Sequence, residues 1–133
     1  MEQKKPLHSH KDLIVWQRSI ELVISVYKLV KNFPKEEIYA LTDQMKRASV
    51  SIPSNISEGR ARGTSKDFVQ FLRIASGSCA EFQTQIEISK KLKYGILSDY
   101  NETESLLLEV EKMLHSMIRK INPNFISSFA SEA

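Results

Sequence analysis

The stretch that decides the fold runs from Gln44 to Gly63: Gln-Met-Lys-Arg-Ala-Ser-Val-Ser-Ile-Pro-Ser-Asn-Ile-Ser-Glu-Gly-Arg-Ala-Arg-Gly. Leu41, Met45, Ala48, Ile52 and Ile56 keep the three-and-four spacing of a helix straight through Pro53. A proline inside a helix costs roughly 3 kcal/mol and leaves one carbonyl, here that of Ser49, without its usual partner. Hydroxyls of Ser49, Ser51 or a neighbouring helix can supply a substitute. An apolar pattern maintained across such a break implies a helix held by packing. The stretch therefore predicts a helix bent near Pro53 and buried along one side. Basic pairs stand on either side of the proline, Lys46 with Arg47 and Arg60 with Arg62.

Upstream, residues 11–32 read as a first helix with two apolar stripes. Leu13, Trp16, Ile20, Val23, Tyr27 and Val30 form a heptad seam; Val15, Leu22, Val26, Leu29 and Phe33 form the other. Asn32-Phe33-Pro34 ends this helix, and Pro34 suits the first turn of the next, followed by Glu36 and Glu37. That second helix is expected to reach about residue 61.

Downstream, Thr64 or Ser65 caps a third helix, with Asp67 in its first turn, reaching about residue 94. Its seam is Phe68, Phe71, Ala75, Ser78, Phe82, Gln85 or Ile86, and Ser89, leaving Val69, Leu72 and Ile74 off the seam. The middle is small, Ala75 to Ala80, and Gly77 is expected to mark a close helix contact, since glycine costs roughly 1 kcal/mol there. Gly95 reads as the left-handed residue closing this helix. Ser98 or Asp99 caps a fourth helix with the seam Leu107, Val110, Leu114, Met117 and Ile121, stopped by Asn122-Pro123. The expected fold is all-α: an antiparallel up-down-up-down four-helix bundle, one domain over residues 1–133 with flexible ends at about 1–10 and 124–133. Phe125, Ile126 and Phe129 offer docking groups in the last segment.

The 133 residues are 41% hydrophobic and 26% charged, the composition of a chain that buries a core. The formal net charge of +3 permits polyanion contact without demonstrating it. No stretch approaches the roughly 18 apolar residues of a membrane span, so no membrane contact is expected. The single Cys79 fits a reducing compartment, and the N-terminus lacks an apolar signal core, so the expected location is the cytoplasm.

The sequence resembles the four-helix-bundle proteins encoded in intervening sequences of bacterial 23S ribosomal RNA genes. Leu13 to Gln17, Leu41 to Ala48, Ser51 to Gly59, Phe68 to Leu72, Ala75 to Ser78 and Glu81 carry the likeness, over roughly residues 12–121. The resemblance implies a ring-shaped homopentamer without enzyme activity or cofactor. The accessory protein of diversity-generating retroelements is similar in fold. It binds nucleic acid and a reverse transcriptase, which makes RNA or DNA, and a reverse transcriptase or other nucleic-acid enzyme, the partners to consider. The two stripes on the first helix and the off-seam residues of the third also call for a closed assembly.

No nucleophile and base form a catalytic set, and no catalytic or metal-binding residue is assigned. Ser51, Asn55, Glu58 and Arg62 share one helical face, with Ser78 and Glu81 a turn apart on the third helix. Glu58 and Glu81 invite a reading as an acid–base or metal pair. The preferred reading makes Ser51, Asn55, Glu58, Ser78 and Glu81 a structural polar layer, its carboxylates paired with nearby arginines. His8 and His10 read as solvated, His115 as a surface or boundary residue, and Cys79 as a buried inert thiol. Between Gln44 and Arg73 six cations, Lys46, Arg47, Arg60, Arg62, Lys66 and Arg73, stand against two anions. They are the candidate nucleic-acid contacts. A second cluster, Lys90, Lys91 and Lys93, lies at the far end of the third helix. No aromatic platform is interleaved with the basic set, so backbone electrostatics rather than base stacking is expected. The reading is a non-enzymatic, oligomeric helical bundle that binds nucleic acid or a nucleic-acid enzyme; the alternative is a structural or protein-interaction ring with no such affinity.

Overall fold

A computed structural model describes residues 9–121; the notable residues before and after this span, His8, Phe125, Ile126 and Phe129, lie outside it. Four helices follow one another: α1 (Ile14–Val30), α2 (Leu41–Ala61), α3 (Ser65–Lys91) and α4 (Leu97–Ile121). Cross-helix contacts give their directions. Ser51 meets Ser78 across α2 and α3, Arg18 meets Glu109 and Lys28 meets Glu102 across α1 and α4, and Lys90 meets Glu104 across α3 and α4. In each pair one helix rises as the other falls. The packed pairs are α2 with α3, α1 with α4, α1 with α2, and α3 with α4, which makes an antiparallel all-α four-helix bundle.

The core is built from Leu22, Leu29, Met45, Ile52, Ile56 and Leu72, with Phe82, Ile86 and Leu114 closing it. The two α1 stripes separate here. Val15, Leu22, Val26, Leu29 and Phe33 are buried, whereas Ile20 and Tyr27 of the heptad seam are exposed and Trp16 is half-buried. The heptad seam thus lies at the margin of the core, with Val30 its one buried member. Ser19 and Ser25 share the buried face because their hydroxyls donate to the Trp16 and Leu22 carbonyls (2.7 Å each) and need no water. On α3, Val69 and Leu72 are buried rather than off the seam; Ile74 is exposed. On α4, Ile118 takes the buried position beside half-buried Met117.

The first helix begins later than expected. A 3-10 turn at His10–Asp12 is capped by Ser9, and Leu13 is extended before α1 starts. Pro34 likewise opens only a 3-10 turn, Lys35–Glu37, and α2 starts at Leu41. Glu37 accounts for this. Its Oε1 accepts the Leu41 N–H (3.2 Å) and its Oε2 accepts the Tyr94 hydroxyl (3.0 Å). The carboxylate caps α2 from outside instead of joining its first turn. From Leu41 the helix runs unbroken through buried Pro53. The hydroxyls expected to serve the Ser49 carbonyl are used elsewhere, Ser49 on the Lys46 carbonyl and Ser51 against Ser78.

Thr64 caps α3 as expected, its hydroxyl accepting the Asp67 N–H at 3.1 Å. At the other end the left-handed residue is Lys93 (φ 62°), ahead of Gly95. Tyr94 N–H bonds the Ser89 carbonyl and Lys93 N–H the Lys90 carbonyl, the paired bonds of a Schellman ending. Gly95 instead makes room for two rings. Its φ is 81°, and an added Cβ there would meet Phe33 at 3.0 Å and Tyr100 at 3.2 Å. Close helix approach is also relocated. Nothing lies within 4 Å of a Cβ at Gly77, whereas one at Gly59 would stand 2.5 Å from Phe71 Cβ. Gly59, not Gly77, is where α2 and α3 press together.

Candidate nucleic-acid interface

The antiparallel turn from α2 into α3 brings Arg60, Arg62 and Lys66 to one corner, with Arg73 two turns along α3. Two phenylalanines of α3 support the guanidinium groups. Arg60 Cζ lies 5.2 Å from the Phe68 ring and Arg62 Cζ lies 4.9 Å from Phe71. The same rings pack against Gly59, so the absence of a side chain there lets both cations sit close to α3. Arg62 also pairs with Glu58 one turn back (2.9 Å). Arg60 Nε is buried without a hydrogen-bond partner in the protein. Beside it lies a cleft of about 340 Å³ lined by Gly63, Thr64, Ser65, Phe68 and Ile121.

Ile121 is the last residue of α4, so Arg119 and Lys120 reach this end of the bundle too. The turn at His10–Asp12 contacts α2 and adds Lys11. These three cations are distant in sequence from the Gln44–Arg73 cluster. Only the helix directions bring them in; the signal available beforehand was the up-down-up-down order itself.

Lys46 and Arg47 do not belong to this corner. Fourteen residues of helix separate Lys46 from Arg60, about 21 Å at 1.5 Å per residue. Lys46 Nζ rests 4.7 Å from the Tyr27 ring and Arg47 pairs with Asp43 at 2.9 Å. The six cations that lie together in sequence are thus divided: Lys46 and Arg47 stand towards the start of α2, apart from Arg60, Arg62 and Lys66 at the α2–α3 turn. Lys66 and Arg73 are exposed.

The polar residues between α2 and α3 divide similarly. Ser51 Oγ and Ser78 Oγ are 2.7 Å apart, and Asn55 Nδ2 donates to the Ser51 carbonyl and hydroxyl at 2.8 and 3.0 Å. Glu58 and Glu81 lie outside this layer, exposed on the surface. Charged groups stay wet, while hydroxyls and an amide satisfy one another in the contact. Among the described residues no group of three His, Cys, Asp or Glu side chains is placed to hold a metal ion. His10 packs edge-on against Trp16 at 5.1 Å and His115 is exposed. Cys79 is fully buried, and burial pushes its thiol up to about 12, far from the thiolate needed for nucleophilic chemistry.

Fold and site together define a small antiparallel helical bundle with a cationic end. The profile of the family described as 23S rRNA-intervening sequence protein matches residues 11–116. The chain belongs to that family. It is similar to the crystal structure of a protein of unknown function from the S23 ribosomal protein family of Bacteroides thetaiotaomicron. The two are 25% identical, the match covers 80% of this chain and 99% of the other, and the TM-score is 0.71. No curated protein matches. No described helix is long and apolar enough to cross a membrane.

Proposed function

We propose that this protein is a non-catalytic, self-associating cytoplasmic bundle that holds nucleic-acid backbones at its cationic end. The observation that carries this reading is the corner of Arg60, Arg62 and Lys66, joined from other helices by Lys11, Arg119 and Lys120. The Arg62–Glu58 pair is an exposed i,i+4 contact, a kind worth about 0.3–0.5 kcal/mol, so a phosphate displaces it at little cost. Phe68 and Phe71 lie beneath the guanidinium groups, which leaves phosphate contact rather than base stacking as the mode of binding. Association draws support from apolar residues exposed on either side of the α3–α4 connection, Ile88, Leu92, Ile96 and Leu97. A ring of five, the assembly the family resemblance implies, repeats the cationic end and multiplies weak contacts. A reverse transcriptase or other nucleic-acid enzyme is the accompanying class of protein partner.

A mobility-shift titration with mixed-sequence RNA and duplex DNA tests the binding, with light scattering for the mass. The expected particle is heavier than the 15.3 kDa chain. Its affinity should fall with salt by about 0.9 log units per log salt for each duplex phosphate neutralised, about 0.7 for single strands. Replacing Arg60, Arg62 and Lys66 with Gln should flatten that slope and leave the mass unchanged, with a small drop in melting temperature from the lost Phe68, Phe71 and Glu58 contacts. A parent protein that binds neither nucleic acid at about 50 mM salt overturns the binding reading in favour of a protein-interaction ring.

A further inference from the structure

At the opposite end, the last two turns of α1 and the 34–42 connection enclose an open groove of about 630 Å³. Its floor is apolar, with buried Val30 and Phe33 at the base. Ile24, Tyr27 and Ile38 form its walls and are exposed, Ile24 to 65%. Tyr39 beside it is 95% exposed. The rim is cationic: Lys28, Lys31 and Lys35 follow at steps of three and four, and Lys46 enters from α2.

The neighbouring acids neutralise this rim at Lys28 but not at Lys31 and Lys35. Glu37 is committed to the Leu41 N–H and the Tyr94 hydroxyl, and Asp43 to Arg47. Lys28 is held by Glu102 at 3.4 Å and Asp99 at 3.9 Å, whereas Lys31 and Lys35 are exposed and carry the charge of the rim. Glu36, on the same connection, is exposed.

We propose that this groove is the docking site for an acidic amphipathic helix of a partner protein. An apolar floor with a lysine rim matches a helix carrying apolar residues at i, i+3 or i+4, and i+7, flanked by Glu or Asp. Nucleic acid fits worse: a phosphate backbone leaves Ile24 and Ile38 wet, and Lys46 already covers the Tyr27 ring. A second copy of the chain fits worse too. Its acid-rich helix, α4, has Glu102, Glu104 and Glu109 engaged by Lys28, Lys90 and Arg18. The proposed occupant is therefore a helix of a different chain, with a second copy left as an outcome of the test. The inference is independent of the nucleic-acid reading, whose residues lie at the other end.

The test uses the full chain and a fluorescein-labelled synthetic helix with leucines at i, i+4 and i+7 and glutamates along both flanks. A scrambled isomer with no apolar face is the control. Fluorescence anisotropy should show binding of the patterned peptide only, weakening with salt and unaffected by competing mixed-sequence RNA. Two double variants, Lys31→Glu with Lys35→Glu and Ile24→Ser with Ile38→Ser, change exposed positions only. Each should weaken binding by roughly tenfold or more while the thermal melt stays in place. Equal binding of the scrambled peptide overturns the proposal, as does displacement by RNA or indifference to both variants. No binding by the parent at millimolar peptide also overturns it. If the Ile24/Ile38 variant then falls in mass, the groove belongs to a second copy.

Discussion

The α2–α3 pair and the α1–α4 pair solve the same packing problem with different residues. α2 and α3 meet at Gly59, against Phe68 and Phe71, and at the Ser51–Ser78 contact. α1 and α4 meet through the Arg18–Glu109 and Lys28–Glu102 ion pairs and the buried Ser25–Thr103 hydrogen bond at 3.0 Å. The charge balance follows. Residues 41–91 carry eight cations against five anions, whereas α1 and α4 together carry five cations against six anions. Where long charged side chains make the helix contact, the surface is neutralised in the process. Where small residues make it, the cations remain outside; Arg47 and Arg62 find their carboxylates along their own helix, Asp43 and Glu58. The cationic end is a by-product of close packing as much as of composition.

The contrast breaks most visibly at Gly59. Gly59→Ala places a Cβ 2.5 Å from Phe71 Cβ and should cost about 1–3 kcal/mol through overpacking, read as a lower denaturation midpoint at unchanged m-value. A loss near zero means that α2 and α3 separate freely, and the distinction between the two pairs fails. Next in size is Thr103→Val on the α1–α4 side. It removes one buried hydrogen bond and leaves Ser25 its bond to the Leu22 carbonyl, a loss of about 1 kcal/mol in the same experiment. Gly77→Ala is expected to act in the opposite direction, gaining about 0.5–1 kcal/mol because open space surrounds that position. A destabilised Gly77→Ala protein would show that the outer face of α3 is covered in solution.

The smallest effect concerns pH. The Arg18 hydrogen bond holds the Glu109 carboxyl below its ordinary value. A group whose folded value is depressed contributes stability above its unfolded value, near pH 4.3, and loses it as pH falls through the folded value. The stability difference between the parent and Arg18→Gln should therefore be constant near neutrality and vanish in acid. It should also shrink with added salt, since the pair is partly exposed. A difference that persists below both values would assign the effect of Arg18 to packing.

Much of the bundle was legible from periodicity. Four helices, the Thr64 cap and the apolar positions of α2 all follow from spacing and cap chemistry. The choice between the α1 stripes did not, because spacing says that a face is apolar but not which neighbour covers it. Gly77 attracted the close-contact reading because it sits among small residues. Gly59 escaped it because its partner, Phe71, comes twelve residues later across a turn. The Schellman ending escaped for a related reason: the left-handed position fell on Lys93, with a glycine two residues on to mislead. At the candidate interface Arg60, Arg62 and Lys66 were readable as neighbours across a short turn. Lys46 and Arg47 required the length of α2 to separate them, and Arg119 and Lys120 required the direction of α4 to include them.

The interior position of Cys79 has a practical consequence for spectroscopy. A single native thiol that is buried and pushed up to about 12 reacts with maleimides or disulfide reagents only when the bundle opens. A cysteine introduced at Lys35 or Arg62 can therefore be dye-labelled selectively in the folded protein, one at each end of the molecule. The unmodified chain carries its own clock: the rate at which Cys79 becomes labelled reports the opening of the core, without any mutation.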